Sequence, residues 1–428
     1  MSPATAKNPI LKVDALSYGP YGIGRLDGKA IMVPNTAPGD TIEARIVEAK
    51  ERYALGEAVR LIEPSLLRRT PPCPYVGVCG GCSWQHLRYD AQLKAKEQSV
   101  ADALRRIGKL DGYELRPIIA STREFGYRRR IRLQVGPDKQ LGFFGAASHR
   151  LADIESCLIA GDPLNGLLDS LRRWARGLET AIEHIELVSG DGPGEFVAVA
   201  QANGDFAPRD ERRCEDLTAD AGFYGLIVAG HDWRKTWGIP ALTVNLIDAI
   251  SLTVDADVFT QVNPEGNLQI LRALLGAGDF QASDRVLELY CGAGNFTLPI
   301  AKRVREMCAV EGHRAAIACA KLNAQKHGLE NIRWTAAAVP QAAARLKSRR
   351  ERFDKIVLDP PRAGAKDLDA DLAALGARNI LYISCNPTTL ARDLAALAKR
   401  GYTLQTVQPI DLFPQTFHVE ALAVLEHG

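Results

Sequence analysis

The sequence predicts an α/β protein: a parallel sheet covered by helices in the C-terminal half, preceded by a small β-barrel and a mixed α+β region. Three observations carry this expectation. At 428 residues the chain is longer than one hydrophobic core usually supports, so two or three domains are expected. From about residue 256 strand, loop and helix follow one another in turn, the rhythm of a parallel sheet. Residues 8–62 instead read as short strands between glycine and proline turns.

In chain order, GPYGIGRLDGKAIMVPNTAPGD and then TIEARIVEAK, where Ile42, Ala44 and Ile46 alternate with polar neighbours, describe an OB-like barrel over 8–62. The prolines of EPSLLRRTPPCP break regular structure after it. Leu93, Val100, Leu104 and Ile107 recur at helical spacing between Tyr89 and Leu110, which predicts one amphipathic helix. Strand-like RRRIRLQV, LGFFG and EFVAVAQ, with a helix near LLDSLRRWARGL, place a central α+β domain over 63–255. The repeating units RVLELYCGAGN, EMCAVEG, KIVLDPPRAG and ILYISCNPTTLARDL then fill a Rossmann-like domain over 256–428. Ligands of such sheets sit beyond the carboxyl ends of the strands.

Apolar content of 46% and charged content of 24% are ordinary for globular protein. No run approaches the roughly 18 apolar residues of a membrane helix, and MSPATAKNPI lacks the pattern of a signal peptide, so a cytoplasmic chain with no membrane partner is expected. Nine cysteines without an export signal argue for reduced thiols, metal ligands or nucleophiles rather than disulfides. A net charge of +2 confines any nucleic-acid surface to a local patch. REFGYRRRIRLQV supplies one: five arginines from Arg123 to Arg132 interleaved with Phe125 and Tyr127, suited to phosphates and unpaired bases, or else a solvated strand edge.

The loop ELYCGAGNF follows one strand and precedes a helix, where Gly292 and Gly294 let a ligand approach the backbone. Thr297 stands where a dinucleotide fingerprint requires its third glycine, so NAD fits poorly. Glu311 ends the next strand, placed to accept the two hydroxyls of a ribose. A glycine pair with a following acidic strand end suits S-adenosylmethionine.

Two further strand ends carry reactive groups. Asp359 caps KIVL in DPPRAG, where two prolines stiffen the turn. A D-P-P motif also occurs in adenine amino-methyltransferases, where an aromatic residue follows; here Arg362 does, which weakens that reading. Cys385 ends ILYIS just before a helix, and the positive end of the helix dipole is expected to favour its thiolate. C5 of uracil is too weak a nucleophile to take a methyl group unaided. A thiolate adding to C6 converts the ring to an enolate that can attack a sulfonium methyl, after which a base removes the C5 proton and the thiol leaves. Glu420, in FHVEALAVLEH, is the candidate base.

LELYCGAGNFTLPIA, LDPPRAGA, YISCNPTTLARDL and DLFPQTFHVEALAVL together resemble the bacterial RNA uracil-5-methyltransferase family. The resemblance implies Cys385 as nucleophile, Glu420 as proton-abstracting base and Asp359 beside the reacting base and methyl donor. It implies Gln261, in FTQVN, as a cofactor or substrate contact, and Tyr290, Asn295 and Glu311 as cofactor positions. An Asn or Asp expected after NIRW appears as Ala338, a departure at the adenine position.

Upstream, residues 8–62 resemble a TRAM domain, an RNA-binding module, and CPYVGVCGGCSWQHL resembles the cluster loop of the family's iron–sulfur branch. Cys73, Cys79 and Cys82 with two adjacent glycines form a C-x5-C-x2-C loop. Four thiolates suit zinc or a [4Fe–4S] cluster equally by spacing. The resemblance adds Cys157 as fourth ligand and favours iron–sulfur. It also implies that the helix around 89–115 packs on the catalytic domain.

The implied partner is RNA, most of all 23S rRNA, because the family's tRNA-specific branch lacks the barrel and the cysteine set. A monomer is expected. The competing readings are the same chemistry on tRNA, an adenine amino-methyltransferase, and a non-catalytic iron–sulfur RNA-binding protein.

Overall fold

The computed structural model of the chain describes residues 8–220 and 222–428; the stretch MSPATAK, read above as lacking a leader pattern, lies outside the described residues. Five strands, β1 (Ile10–Leu16), β2 (Tyr21–Leu26), β3 (Lys29–Pro34), β4 (Thr41–Ala49) and β5 (Tyr53–Glu63), close into a barrel in the order β1-β2-β3-β5-β4. Alternate residues fill it, among them Leu11, Val13, Ile31, Val33, Ile42 and Ala44. Asp40 fastens the barrel to the segment carrying Ser65 and Arg68. Its buried carboxylate accepts from the amides of Ala37 and Ser65 and from Arg68 Nε and Nη2 at 2.6–2.9 Å. Burial opposes its charge, but Arg68 and the two amides outweigh burial and hold the pKa below the usual carboxylate value.

The short β6 (Glu114–Leu115) joins the C-terminal sheet, at its edge. The strands β7 (Arg130–Val135), β8 (Leu141–Phe144), β9 (Leu151–Asp153), β10 (Ile182–Ser189), β11 (Phe196–Ala202), β12 (Gly225–Ala229) and β13 (Arg234–Gly238) form a separate seven-stranded sheet. Its order is β13-β12-β11-β10-β7-β8-β9. Helix Asp162–Gly177 lays Leu164, Leu168, Leu171 and Trp174 on it, at the three- and four-residue intervals of one helix face.

The hairpin β14 (Ala241–Asn245) and β15 (Ser251–Asp255) lies just before the expected border at 256. Val244, Leu252 and Val254 pack with Ile270, Leu274 and Met307 of the C-terminal unit. The Asn323 amide spans to the Thr253 backbone through bonds of 2.7 and 3.0 Å. Leu242 of the same hairpin packs with Val188, Val197 and Ile227 of the middle sheet, and Thr243 donates to Glu195, so the hairpin joins the two units across that border.

The C-terminal sheet contains β16 (Arg285–Leu289), β17 (Glu306–Glu311), β18 (Ile332–Ala336), β19 (Lys355–Leu358), β20 (Asn379–Ser384), β21 (Tyr402–Ile410) and β22 (Glu420–His427), in the order β18-β17-β16-β19-β20-β22-β21-β6. The first five are parallel; β22 runs antiparallel between β20 and β21. Apolar cores lie on both faces.

Helix Tyr89–Ala103 packs into one of these cores through Val100 and Ala103. Its buried stripe departs from the apolar one expected, since Gln92 and Lys96 share it with Val100 while Ile107 is exposed. Loop 411–418 explains the exchange. Lys96 Nζ lies 2.6 Å from Asp411 Oδ1 and 2.9 Å from the Phe413 carbonyl, and Gln92 exchanges hydrogen bonds with Gln415. Polar residues can occupy a core when every donor and acceptor is met.

Candidate active site

The carboxyl ends of β16, β17, β19 and β20 and the amino end of β22 meet along one edge of the sheet. There Gln261, Tyr290, Gly292, Asn295, Glu311, Asp359, Cys385 and Glu420 line one cavity of about 840 Å³. The topology brings these residues together from a 160-residue span of sequence. Ser384 pairs with Ala421 in the antiparallel register, which sets Cys385 beside Glu420.

The loop after β16 is built by two glycines with different tasks. Gly292, at φ +54°, would meet nothing if given a Cβ, so the loop leaves open space there. At Gly294, φ +94°, a Cβ would stand 2.5 Å from Leu298; this glycine lets the loop press onto its helix, and it sits behind the cavity wall rather than in it. Glu311 accepts from the Gly292 and His313 amides at 3.1 and 2.7 Å, holding its carboxylate against the loop. Asn295 and Asn267 exchange paired amide bonds of 2.8 and 2.9 Å, so Asn295 braces the loop on helix Pro264–Gly278. Ala338, the departure noted above, starts helix Val339–Ser348.

Cys385 occupies the junction between β20 and helix Pro387–Ala398, whose N-cap is Asn386 accepting from the Thr388 amide at 3.0 Å. The D-P-P loop is tied to the same junction. The Arg362 carbonyl accepts from Asn386 Nδ2 and the Thr389 hydroxyl, at 3.3 and 3.2 Å. Behind it, the buried Asp393 carboxylate accepts from the Ala365 amide and the Tyr382 hydroxyl, both at 2.7 Å.

At Cys385 the helix terminus acts against burial and two carboxyls. Burial, then the charges of Glu420 and Asp359, push the Cys385 thiol up to about 11, with Arg362 opposing. Burial also raises Asp359 to about 7. Glu420, 4% exposed, is raised well above its usual range by burial and by Asp359. Two buried carboxyls around one small space do not both ionise readily, and a raised pKa suits one of them to accept a proton near neutral pH.

A second, smaller cavity of about 200 Å³ is lined by Cys73, Cys79, Cys82 and Cys157 among apolar neighbours. Gly80 lets its loop close: a Cβ there would stand 2.7 Å from the Ala146 amide nitrogen. The Gly81 amide donates to Cys79 Sγ at 3.4 Å. Burial, with the nearby Cys157 and Cys79, raises the Cys82 thiol to about 12, as expected of clustered sulfurs that need a cation to ionise. Among the described residues, no three His, Cys, Asp or Glu side chains are close enough to hold one metal ion. A mononuclear site brings four sulfurs to about 2.3 Å from one point.

Arg128 lines both cavities. The other arginines of its stretch have acidic partners: Arg129 pairs with Asp191, Arg130 and Arg132 share Glu186, and Arg123 faces Glu265, with Arg123 and Arg132 still exposed. Arg128 and the exposed Phe259 also line the larger cavity, as does His418, whose place two residues before Glu420 is visible in the sequence.

Fold and site define an α/β methyltransferase fused to a nucleic-acid-binding barrel. Residues 242–427 match the tRNA (uracil-5-)-methyltransferase family and residues 11–59 match the TRAM domain. A 23S rRNA (uracil(1939)-C(5))-methyltransferase of Pseudomonas putida is 35% identical, over 99% of this chain and 94% of its own. An uncharacterised RNA methyltransferase of Halalkalibacterium halodurans is 31% identical over 98% of this chain and 97% of its own. Among solved structures, the Pyrococcus abyssi tRNA (uracil-54, C5)-methyltransferase in complex with S-adenosyl-L-homocysteine superposes with a TM-score of 0.74 at 25% identity, covering 96% of this chain and 99% of that one. The chain belongs to the RNA (uracil-5-)-methyltransferase family and is an RNA uracil-C5 methyltransferase. The last match corrects one step of the sequence argument. A tRNA enzyme of the same full-length architecture exists, so barrel and middle domain together do not separate rRNA from tRNA substrates.

Proposed function

We propose that this chain methylates C5 of a uridine in 23S rRNA, using S-adenosylmethionine as methyl donor. The observation carrying the chemistry is the meeting of Cys385, Asp359 and Glu420 in the cavity that Gly292 and Glu311 also line. Identity to rRNA enzymes over nearly the whole chain supports the substrate.

Glu311, Tyr290, Gly292, Asn295 and Gln261 would hold the donor, with Gly294 shaping the loop behind them; when bound, it supplies an electrophilic sulfonium methyl. The target base must leave its stack, at a cost of a few kcal/mol that is smallest in RNA loops. Cys385, as thiolate, adds through sulfur to C6, and the ring electrons pass to C5, which takes the methyl group as its bond to the sulfonium sulfur breaks and that electron pair stays on sulfur. Glu420 then removes the C5 proton, the C5–C6 double bond re-forms and the Cys385 sulfur departs. Arg362, beside Cys385 and Glu420, favours the thiolate and the carboxylate that these steps require. Asp359, facing the same space, raises both the Cys385 thiol and the Glu420 carboxyl.

The domain assignment completes the proposal: the barrel over 8–62 docks RNA, the middle region holds the cysteine set, and the remainder performs the transfer. Cys73, Cys79, Cys82 and Cys157 would hold a [4Fe–4S] cluster that fixes the loop between barrel and active site. Its place outside the methyl-transfer cavity argues for a structural role.

The decisive experiment incubates the enzyme with labelled S-adenosylmethionine and unmodified total RNA, then digests separated 23S rRNA and tRNA for 5-methyluridine. Label in 23S rRNA supports the proposal. Label in tRNA alone favours the second reading, which the Pyrococcus abyssi match motivates.

A further inference from the structure

We propose that Tyr18, a residue of the N-terminal barrel, is a positioning residue for Cys385, so that the barrel forms part of the catalytic architecture as well as an RNA-docking surface. The inference rests on the reading of Cys385 as the nucleophile. Tyr18 lies in the turn between β1 and β2, yet its hydroxyl donates to the Cys385 carbonyl at 3.1 Å, across 367 residues of sequence. Its ring meets Phe417 edge-on, with centroids 5.5 Å apart, and packs against the core that contains Leu390 and Val419. Phe417 in turn lies 4.2 Å from the ring of His418, two residues before Glu420. One side chain of the barrel therefore touches both the loop of the nucleophile and the loop of the base.

The carbonyl it holds is the sensitive one. Pairing of β20 with β22 ends at Ser384, and the next carbonyl along, of Asn386, already accepts from the helical Leu390 amide. The Cys385 carbonyl falls between ladder and helix. Fixing it sets the peptide plane after Cys385, and with it the angle at which the Cα–Cβ bond presents sulfur to the cavity. Burial, followed by the charges of Cys385 and Glu420, raises the Tyr18 phenol, which keeps it a neutral donor.

The reach of Tyr18 depends on where the barrel sits, and the barrel is fastened. Arg68 grips Asp40, the His86 ring lies 3.1 Å from the Thr36 carbonyl, and Ala37, Trp84 and Leu87 form a buried cluster between the barrel and the cysteine loop. RNA bound to the barrel and the orientation of the attacking sulfur thus share one rigid connection.

The test compares wild type, Y18F and Y18L with RNA carrying 5-fluorouridine, in which no C5 proton can be removed and the covalent adduct accumulates. A lost neutral hydrogen bond of about 1 kcal/mol corresponds to about fivefold in rate. Y18F should form adduct about fivefold more slowly, reach the same final amount, and keep the RNA dissociation constant within twofold. Two results would overturn the proposal. One is Y18F within twofold of wild type while Y18L is impaired, leaving only ring packing; the other is a Y18F rate loss matched by equally weakened RNA binding, leaving only docking. C385A runs alongside. If it still forms adduct, the nucleophile reading fails and takes this proposal with it, whereas absent adduct with a normal Y18F rate overturns Tyr18 alone.

Discussion

The two cysteine-bearing cavities are built on opposite plans. In the smaller one three of four sulfurs come from a ten-residue loop, Cys73 to Cys82, so the site is largely a property of local sequence. In the larger one each reactive group ends a different strand, and only the sheet order brings them together. Thiols in both are raised, for different reasons. Cys82 is raised by burial and then by other cysteines, and a cation would relieve it. Cys385 is raised by burial and then by two carboxyls, one of which is itself the proposed base. The first arrangement suits permanent occupation, the second a thiol that is idle until substrate arrives.

This contrast breaks most sharply at Cys385. Cys385→Ala should abolish 5-methyluridine formation in a labelled-RNA assay while leaving the cysteine cavity and its visible absorbance intact. Persisting methylation would remove the thiol from the mechanism. Glu420→Gln should lower turnover about 10²- to 10⁴-fold, the range for losing a general base. It should also trap RNA on Cys385 as a slow band on a denaturing gel, because methyl transfer precedes proton removal.

Cys157→Ser tests the other cavity. Iron content and broad visible absorbance of anaerobically purified protein should fall, and its melting temperature with them, since metal binding to such a set is coupled to folding. Methyl transfer per folded molecule should stay within about tenfold, a change of roughly 1.4 kcal/mol. A colourless wild-type protein with stoichiometric zinc would sink the cluster assignment.

The smallest effect concerns pH. Cys385 titrates at about 11 in the fold against an ordinary 9.0, so between these values the native chain keeps a proton that the unfolded chain has released. Its contribution to stability is therefore complete below about pH 9 and lost as pH rises through about 11. Iodoacetamide should alkylate Cys385 with a midpoint near the upper value, and Glu420→Gln should move that midpoint down by removing a neighbouring charge. An unmoved midpoint would show that the two groups do not interact.

The same contrast explains what was legible in the sequence. The C-x5-C-x2-C loop, the glycine pair with Glu311, and the cysteine ahead of a helix are short-range patterns, and each reads directly. Their grouping followed from strand alternation, since parallel strands present their carboxyl ends on one edge. The hidden contacts act across distance. Tyr18 reaches Cys385 from the barrel, Gln415 takes bonds from Arg69 and Gln92, and Glu186 absorbs two arginines that looked free. Hydrophobic periodicity likewise misread the stripe of helix Tyr89–Ala103, because Lys96 is welcome in a core only once Asp411 is known to face it.

The position of β22 has a consequence for how the enzyme is made. It follows every other strand of its sheet in the chain, yet it lies inside the sheet, between β20 and β21, and its first residue is Glu420. A ribosome must therefore complete all the other strands before the gap between them can be filled. Until then Cys385 has no Glu420 beside it, and β20 and β21 expose unpaired edges that invite aggregation. The cavity is thus completed in a single late event of synthesis, and a chain that stalls before residue 420 lacks both the inner strand of its sheet and the carboxyl proposed as base.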